Sequence, residues 1–288
     1  MQEEMIEKDG FLYGAWKRSI NAAAQVKGSI HEEETAQRVG MRGGAVAGTM
    51  HLDLFPPLLV RTFGQRFFEH GCISLFYTYA MTDGEEVRAI IKLPPKSASD
   101  VQVEARVESL DNHLVAQGTV SVGNPKDVSY LHGIKIESSP QEQLRILKGL
   151  KTGDDLPAKD VVTSTERMIN ATDRLEDVID WYSGKTPWGT AIVPPSMTWG
   201  LMGMSPSFSP PGVGFFGGTE IRYVNGPIKV DVNYHANGKV IAVGVTNRTE
   251  YYWFESELHE KSTGKLVARM RHMTRFMKQG SPLYPEIK

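Results

Sequence analysis

Cysteine is almost absent: Cys72 is the single one in 288 residues, so one chain can hold neither an internal disulfide nor a cysteine-built metal site. No apolar run approaches the length of a membrane-spanning helix. Charge of either sign is not in excess. The net charge of −2 leaves no global field for nucleic acid or an anionic membrane surface. The opening MQEEMIEKDG lacks the basic and apolar regions of a signal peptide, and a cytoplasmic location is expected. There is no phosphate-binding P-loop and no cluster with metal-ligand spacing. Gly212-Val213-Gly214-Phe215-Phe216-Gly217 has the letters of a dinucleotide fingerprint. It follows a Pro-rich loop and precedes an expected strand, so it reads as a chance match. No metal, nucleic-acid or membrane partner is expected, and no cofactor. What is present is a globular composition, 40% hydrophobic and 23% charged, with room for two domains.

The chain is organised around 28–59. A histidine, His31, ends an extended segment, and Glu32-Glu33-Glu34 opens a short helix running to Val39, acidic where the helix dipole favours it. The glycine-rich Gly40-Met41-Arg42-Gly43-Gly44 follows, and Ala47-Gly48-Thr49-Met50 enters an apolar helix expected over 47–63, kinked at Pro56-Pro57. Glycines at a helix entry let a ligand approach the backbone, and unpaired N–H groups there favour negative charge. From Cys72 the pattern changes to strands, expected at 73–79, 86–93, 101–110 and 114–122, the last two joined as an antiparallel hairpin.

The second half repeats this order. After a polar connection over 124–172, a short helix is expected over 175–182. Gly189-Thr190-Ala191-Ile192-Val193-Pro194-Pro195-Ser196-Met197 then echoes Gly43 to Met50 with one residue more, opening a helix over 196–204. Strands are expected at 219–224, 228–236, 239–248, 249–260 and 265–277. Two copies of one unit follow: 1–140, a connection 141–172, and 173–288.

The run Ile30-His31-Glu32-Glu33…Ala36…Gly40-Met41-Arg42-Gly43-Gly44-Ala45-Val46-Ala47-Gly48 resembles the hydratase motif of the MaoC-like, (R)-specific enoyl-CoA hydratase family. The resemblance covers 30–50 as motif and most of the chain as element order. It implies an α+β double hot-dog fold, in which a long helix is wrapped by antiparallel sheet in each unit. By the same resemblance His31 is the catalytic histidine, and the N–H at Gly48 polarises a thioester carbonyl. The sequence departs from the family where it has Val26 in place of the catalytic aspartate, Gly28-Ser29 in place of Asn-Pro, and Ala47 in place of the histidine before the helix-entry glycine. The second unit has no such histidine and has Pro194-Pro195-Ser196 at the helix entry, as a degenerate half that shapes the pocket would.

Each candidate has a plainer reading beside the functional one. His31 could be a backbone-bonded residue at a helix entry, and Gly43, Gly44 and Gly48 could serve close packing alone. Asp53, the only carboxylate on the central helix, is a catalytic candidate; with His51, a substrate-contact candidate, it could equally be satisfied at a helix end. Arg42 suits a carboxylate or a carrier's phosphates, as Arg61 does, yet most arginines are solvated. Trp188 and Trp199 are candidates for a hydrophobic or aromatic substrate tunnel, with core packing as the alternative. The loop 205–218 is a candidate lid, and Cys72 reads as packing.

The resulting expectation is a hydratase or dehydratase acting on an α,β-unsaturated or β-hydroxy acyl thioester with a bulky or hydrophobic acyl group. The alternatives are an acyl-thioester hydrolase dependent on Asp53, and a non-catalytic binder of an acyl or aromatic ligand. A homodimer and pairing of the two units' sheets within one chain are equally open.

Overall fold

Val103, Ala105 and Val107 alternate with Glu104, Arg106 and Glu108, and this period of two turns the apolar set onto one buried face. The same device builds a sheet of twelve strands, antiparallel throughout, among the residues described, 5–95 and 99–287 of a computed structural model. The first unit supplies β1 (Ile6–Lys8), β2 (Phe11–Tyr13), β3 (Lys17–Arg18), β4 (Gly71–Tyr77), β5 (Glu86–Lys92), β6 (Val101–Ser109) and β7 (Leu114–Val122). The second supplies β8 (Asp155–Val161), β9 (Gly214–Tyr223), β10 (Tyr234–Val245), β11 (Thr249–Glu260) and β12 (Leu266–Met277). The order is β1-β2-β5-β6-β7-β4-β9-β12-β11-β10-β8, with β3 beside β5. The units join where β4 pairs with β9, from Cys72 opposite Arg222 to Phe76 opposite Gly218. Past that point no pairing continues, and the two strands separate at the end where the cavity lies.

Two copies of one unit are visible in the backbone. Ala45 bridges Thr82, Ile192 bridges Lys229, and the same sequence interval separates the partners of each copy. The Ala45 N–H donates to Ile30 O as Ile192 N–H donates to Trp181 O; Val46 N–H donates to Met81 O as Val193 N–H donates to Ile228 O. Ala45 therefore matches Ile192 and Met50 matches Met197 with no inserted residue, which removes the extra residue expected from the sequence.

The central helix is broken into pieces. After the short helix α1 (Glu33–Arg38), a 3-10 turn over Gly48–Leu54 is followed by α2 (Pro56–Phe63) and α3 (Gln65–His70). Proline lacks an N–H, so Pro56 and Pro57 restart the helix at its first turn, where no donor is required. Gly64, at φ 59°, turns the chain between α2 and α3. Leu52, Leu54, Phe55, Leu58, Leu59, Phe67 and Phe68 are all buried and belong to one core with Ile73, Leu75, Ile91 and Val107 of the sheet. Each such side chain contributes roughly 1.5–3 kcal/mol on burial. The second unit has a shorter version, a 3-10 turn over Pro195–Met197 and a helix over Thr198–Met202.

Three sequence expectations are corrected. The connection 141–172 carries β8, which pairs with β10 at the sheet edge, and a helix over Thr165–Thr172. The helix expected over 175–182 is absent; only a 3-10 turn over Asp180–Ser183 is found there. Of the strands expected at 228–236 and 239–248, residues 234–245 form one strand, β10, running through Asn237-Gly238, while 228–233 lies outside it with only the Ile192–Lys229 bridge. Gly238 is a close-approach position, because a Cβ there would stand 2.6 Å from the carbonyl oxygen of Glu255. None of the helices described is long and apolar enough to cross a membrane.

Candidate functional site

The glycine loop packs the histidine segment into place. Asn21 Nδ2 donates to His31 O at 2.8 Å, and Ala45 N–H donates to Ile30 O at 2.9 Å. Gly44 N–H donates to Glu33 Oε2 at 2.8 Å, and a Cβ on Gly44 would meet His31 O at 2.5 Å. Glycine is required there for close approach of two backbones. Within this frame His31 Nδ1 lies 2.6 Å from Ala45 O. A carbonyl only accepts, so Nδ1 carries the proton and the neutral ring keeps its lone pair on Nε2.

His31 lies on the wall of a cavity of ≈640 Å³ formed between the two units. The first unit contributes Ala47, Gly48, His51 and Tyr77; the second contributes Gly214–Phe216 residues of β9, the turn 246–249, Arg275 and Met277. Gly48 opens the 3-10 turn, so its N–H has no acceptor within that turn. A Cβ on Gly48 would stand 2.8 Å from the Tyr77 ring, so only glycine lets that ring pack against the backbone there. Tyr77 is half-buried with its hydroxyl enclosed, and desolvation of that hydroxyl pushes its phenol up.

His51 is 2% exposed and lines the same cavity. Its Nδ1 lies 3.1 Å from Glu176 Oε2, a carboxylate of the second unit that is itself buried. Nε2 of His51 has no partner among the described residues. Sequence reasoning missed Glu176: 125 residues separate it from His51, and no local motif marks it.

Asp53 is elsewhere. It is fully buried, does not line the cavity, and accepts a hydrogen bond from Ser196 N–H at 3.0 Å, satisfying the second unit's helix entry. Burial pushes its carboxyl up to about 8, against the opposing pull of Ser196. Its proximity helps raise the buried phenols of Tyr182 and Tyr223, for which burial is the larger cause.

The other candidates are also outside the cavity. Arg42 forms a forked pair with Glu85 and lies 5.0 Å over the Tyr79 ring. Gly43 and Gly44 serve the packing described above. Trp188 donates from Nε1 to Glu69 at 3.0 Å and joins Trp181 and Phe68 in an aromatic cluster. Trp199 packs on Phe216, Phe254 and His272 behind the wall. The expected lid 205–218 is in part strand, and its Gly214, Phe215 and Phe216 do face the cavity.

Arg275 and Arg248 line the cavity where the two units part, and no described aspartate or glutamate does. Arg275 lies 5.5 Å over the Phe76 ring, bonds Met273 Sδ through Nε at 3.4 Å, and makes no ion pair among the described residues. Burial lowers its pKa from the ordinary value. The matching place in the second unit is closed. The backbone register puts Tyr182, Pro195 and Thr198 where the first unit has His31, Gly48 and His51, and Trp181, Trp188, Phe68 and Tyr223 fill the space.

This architecture is the double hot-dog fold expected from the sequence, as found in MaoC-like structures. The chain is similar to a Mycobacterium tuberculosis protein described as a double hot-dog fold, with TM-score 0.61 and 10% identity over 94% of this chain and 97% of that one. It is similar in the same way to a MaoC-domain protein of Chloroflexus aurantiacus, with TM-score 0.60 and 10% identity over 94% and 96% of the two chains. A structure described as a MaoC-like dehydratase aligns with TM-score 0.52 and 13% identity over 92% and 98%. No protein-family model and no curated protein matches the chain.

Proposed function

We propose that this chain is a hydro-lyase of the hydratase or dehydratase type, adding water to an α,β-unsaturated acyl thioester or removing it from a β-hydroxy acyl thioester. One observation carries the reading: His31, whose Nδ1 is held by Ala45 O and whose Nε2 has no partner among the described residues, shares a cavity wall with Gly48, whose N–H opens the 3-10 turn. The thioester carbonyl accepts from the Gly48 N–H, which stabilises the enolate that forms as water adds to the β-carbon. His31 Nε2 takes the proton of that water as general base. The wall is otherwise largely apolar, with Ile30, Met41, Val46, Phe215, Phe216 and Met277, which suits a bulky or hydrophobic acyl group. Two of the similar structures are described as dehydratases.

Hydrolysis of the thioester would ask Asp53 to meet the ligand, and its burial away from the cavity argues against that role. The two chemistries separate in one assay. Loss of the enoyl absorbance without release of free thiol is the expected result, and thiol release at the same rate would replace this reading with hydrolysis.

A further inference from the structure

Val26 is 54% exposed and does not line the cavity, so the residue at the family's aspartate position supplies nothing to the site. Addition of water needs two proton-transfer events, one at the water and one at the α-carbon, and His31 as base accounts for the first. The cavity holds one further titratable side chain bound to a buried acid, and that is His51. Its ring lines the cavity, its Nδ1 is held by Glu176 at 3.1 Å, and Nε2 is without a partner among the described residues. Glu176 is buried together with the ring, and its Oε1 has no partner among the described residues. Nothing else competes for the pair. Asp53 is engaged by Ser196 and burial favours its protonated form, and Asp177 is bridged to Lys17 at 3.6 Å.

We propose that His51 is the second catalytic residue, the general acid that protonates the α-carbon, and that Glu176 is its positioning residue, brought across from the second unit in place of the missing aspartate. The proposal rests on the hydro-lyase reading of the same cavity. A carboxylate on Nδ1 fixes the ring and balances the charge it carries while Nε2 holds a proton. In the hydration direction an O–H bond of water breaks, its proton passes to His31 Nε2, and the oxygen bonds the β-carbon. The π pair moves onto the enolate, the Nε2–H bond of His51 breaks, and its proton bonds the α-carbon. Exchange with water then returns His31 to neutral and His51 to its charged form, so H and OH are added and nothing else is consumed.

The arrangement also gives the degenerate unit a task. Its own site is filled by aromatic rings and has Thr198 where the first unit has His51, yet it donates the acid that the first unit's histidine needs.

The test is steady-state turnover of a trans-2-enoyl thioester by wild type, His51→Gln, Glu176→Gln, Glu176→Asp and the double variant His51→Gln/Glu176→Gln, each checked by thermal melting. His51→Gln is expected to lose about 100-fold or more in kcat with KM little changed. Glu176→Gln is expected to lose about 10–100-fold, and Glu176→Asp to recover part of that. The double variant should be no worse than His51→Gln alone, because Glu176 acts through the ring. Folded His51→Gln with kcat within about threefold of wild type would overturn the proposal and leave the hydro-lyase reading standing. Additive losses in the double variant would overturn the Glu176 role. A wild type that turns over no enoyl or β-hydroxy acyl thioester would remove the hydro-lyase reading and this proposal together.

Discussion

His51 and Glu176 are 125 residues apart in sequence and 3.1 Å apart in the fold, one from each of two fused units. Glu176 is buried behind the ring, and His51 lines the cavity where His31 also stands. A duplicated chain has thereby kept one open site and used residues of both copies to build it.

Asp53 predicts an unusual pH dependence of stability. Its folded pKa of about 8 lies above the ordinary carboxylate value, so its contribution is full below about pH 4 and is lost as pH rises through about 8. Asp53→Asn keeps an acceptor for Ser196 N–H and removes the ionisation. The variant should melt with wild type near pH 4 and gain on it progressively up to pH 9, by an amount on the order of several kcal/mol at most. Thermal melts across that range check it, and turnover of the variant should stay near wild type.

Gly48 predicts a steric effect at the site. Alanine there puts a methyl 2.8 Å from the Tyr77 ring, so the ring or the 3-10 entry must shift. Gly48→Ala should destabilise by about 1–3 kcal/mol and reduce kcat. The companion change Tyr77→Leu should restore the stability and not the rate.

Arg275 predicts a binding effect. It is a half-buried guanidinium without an acidic partner among the described residues, in a cavity that no described carboxylate lines. An anionic group of the ligand is the complement of that wall. Arg275→Gln should raise KM about tenfold and leave kcat within about threefold, and steady-state kinetics at low and high salt would separate the electrostatic part.

Much of this was legible where local pattern and tertiary role agree. Val101–Ser109 alternates and forms a strand, and Leu114–Val122 and Thr249–Glu260 form strands over the residues expected. The His31 segment and its glycine loop stood out because close backbone approach demands glycine at Gly44. Other parts were hidden for physical reasons. β8 lies at a sheet edge with mostly exposed side chains, so it needs little apolar residue and reads as linker. Gly238 marks a close approach within a strand and not a turn. His51–Glu176 and Asp53–Ser196 are contacts between copies, and no spacing within either copy encodes them.

The central claim is that His31 moves a proton of water at an acyl thioester. Mass spectrometry of trans-2-enoyl thioesters of graded length and bulk, incubated with wild type and with His31→Ala, tests it most directly. The account predicts a gain of one water with wild type that falls by about 100-fold or more in a folded His31→Ala variant. Equal gain of water by the variant, or free thiol in place of the hydrated product, would contradict it.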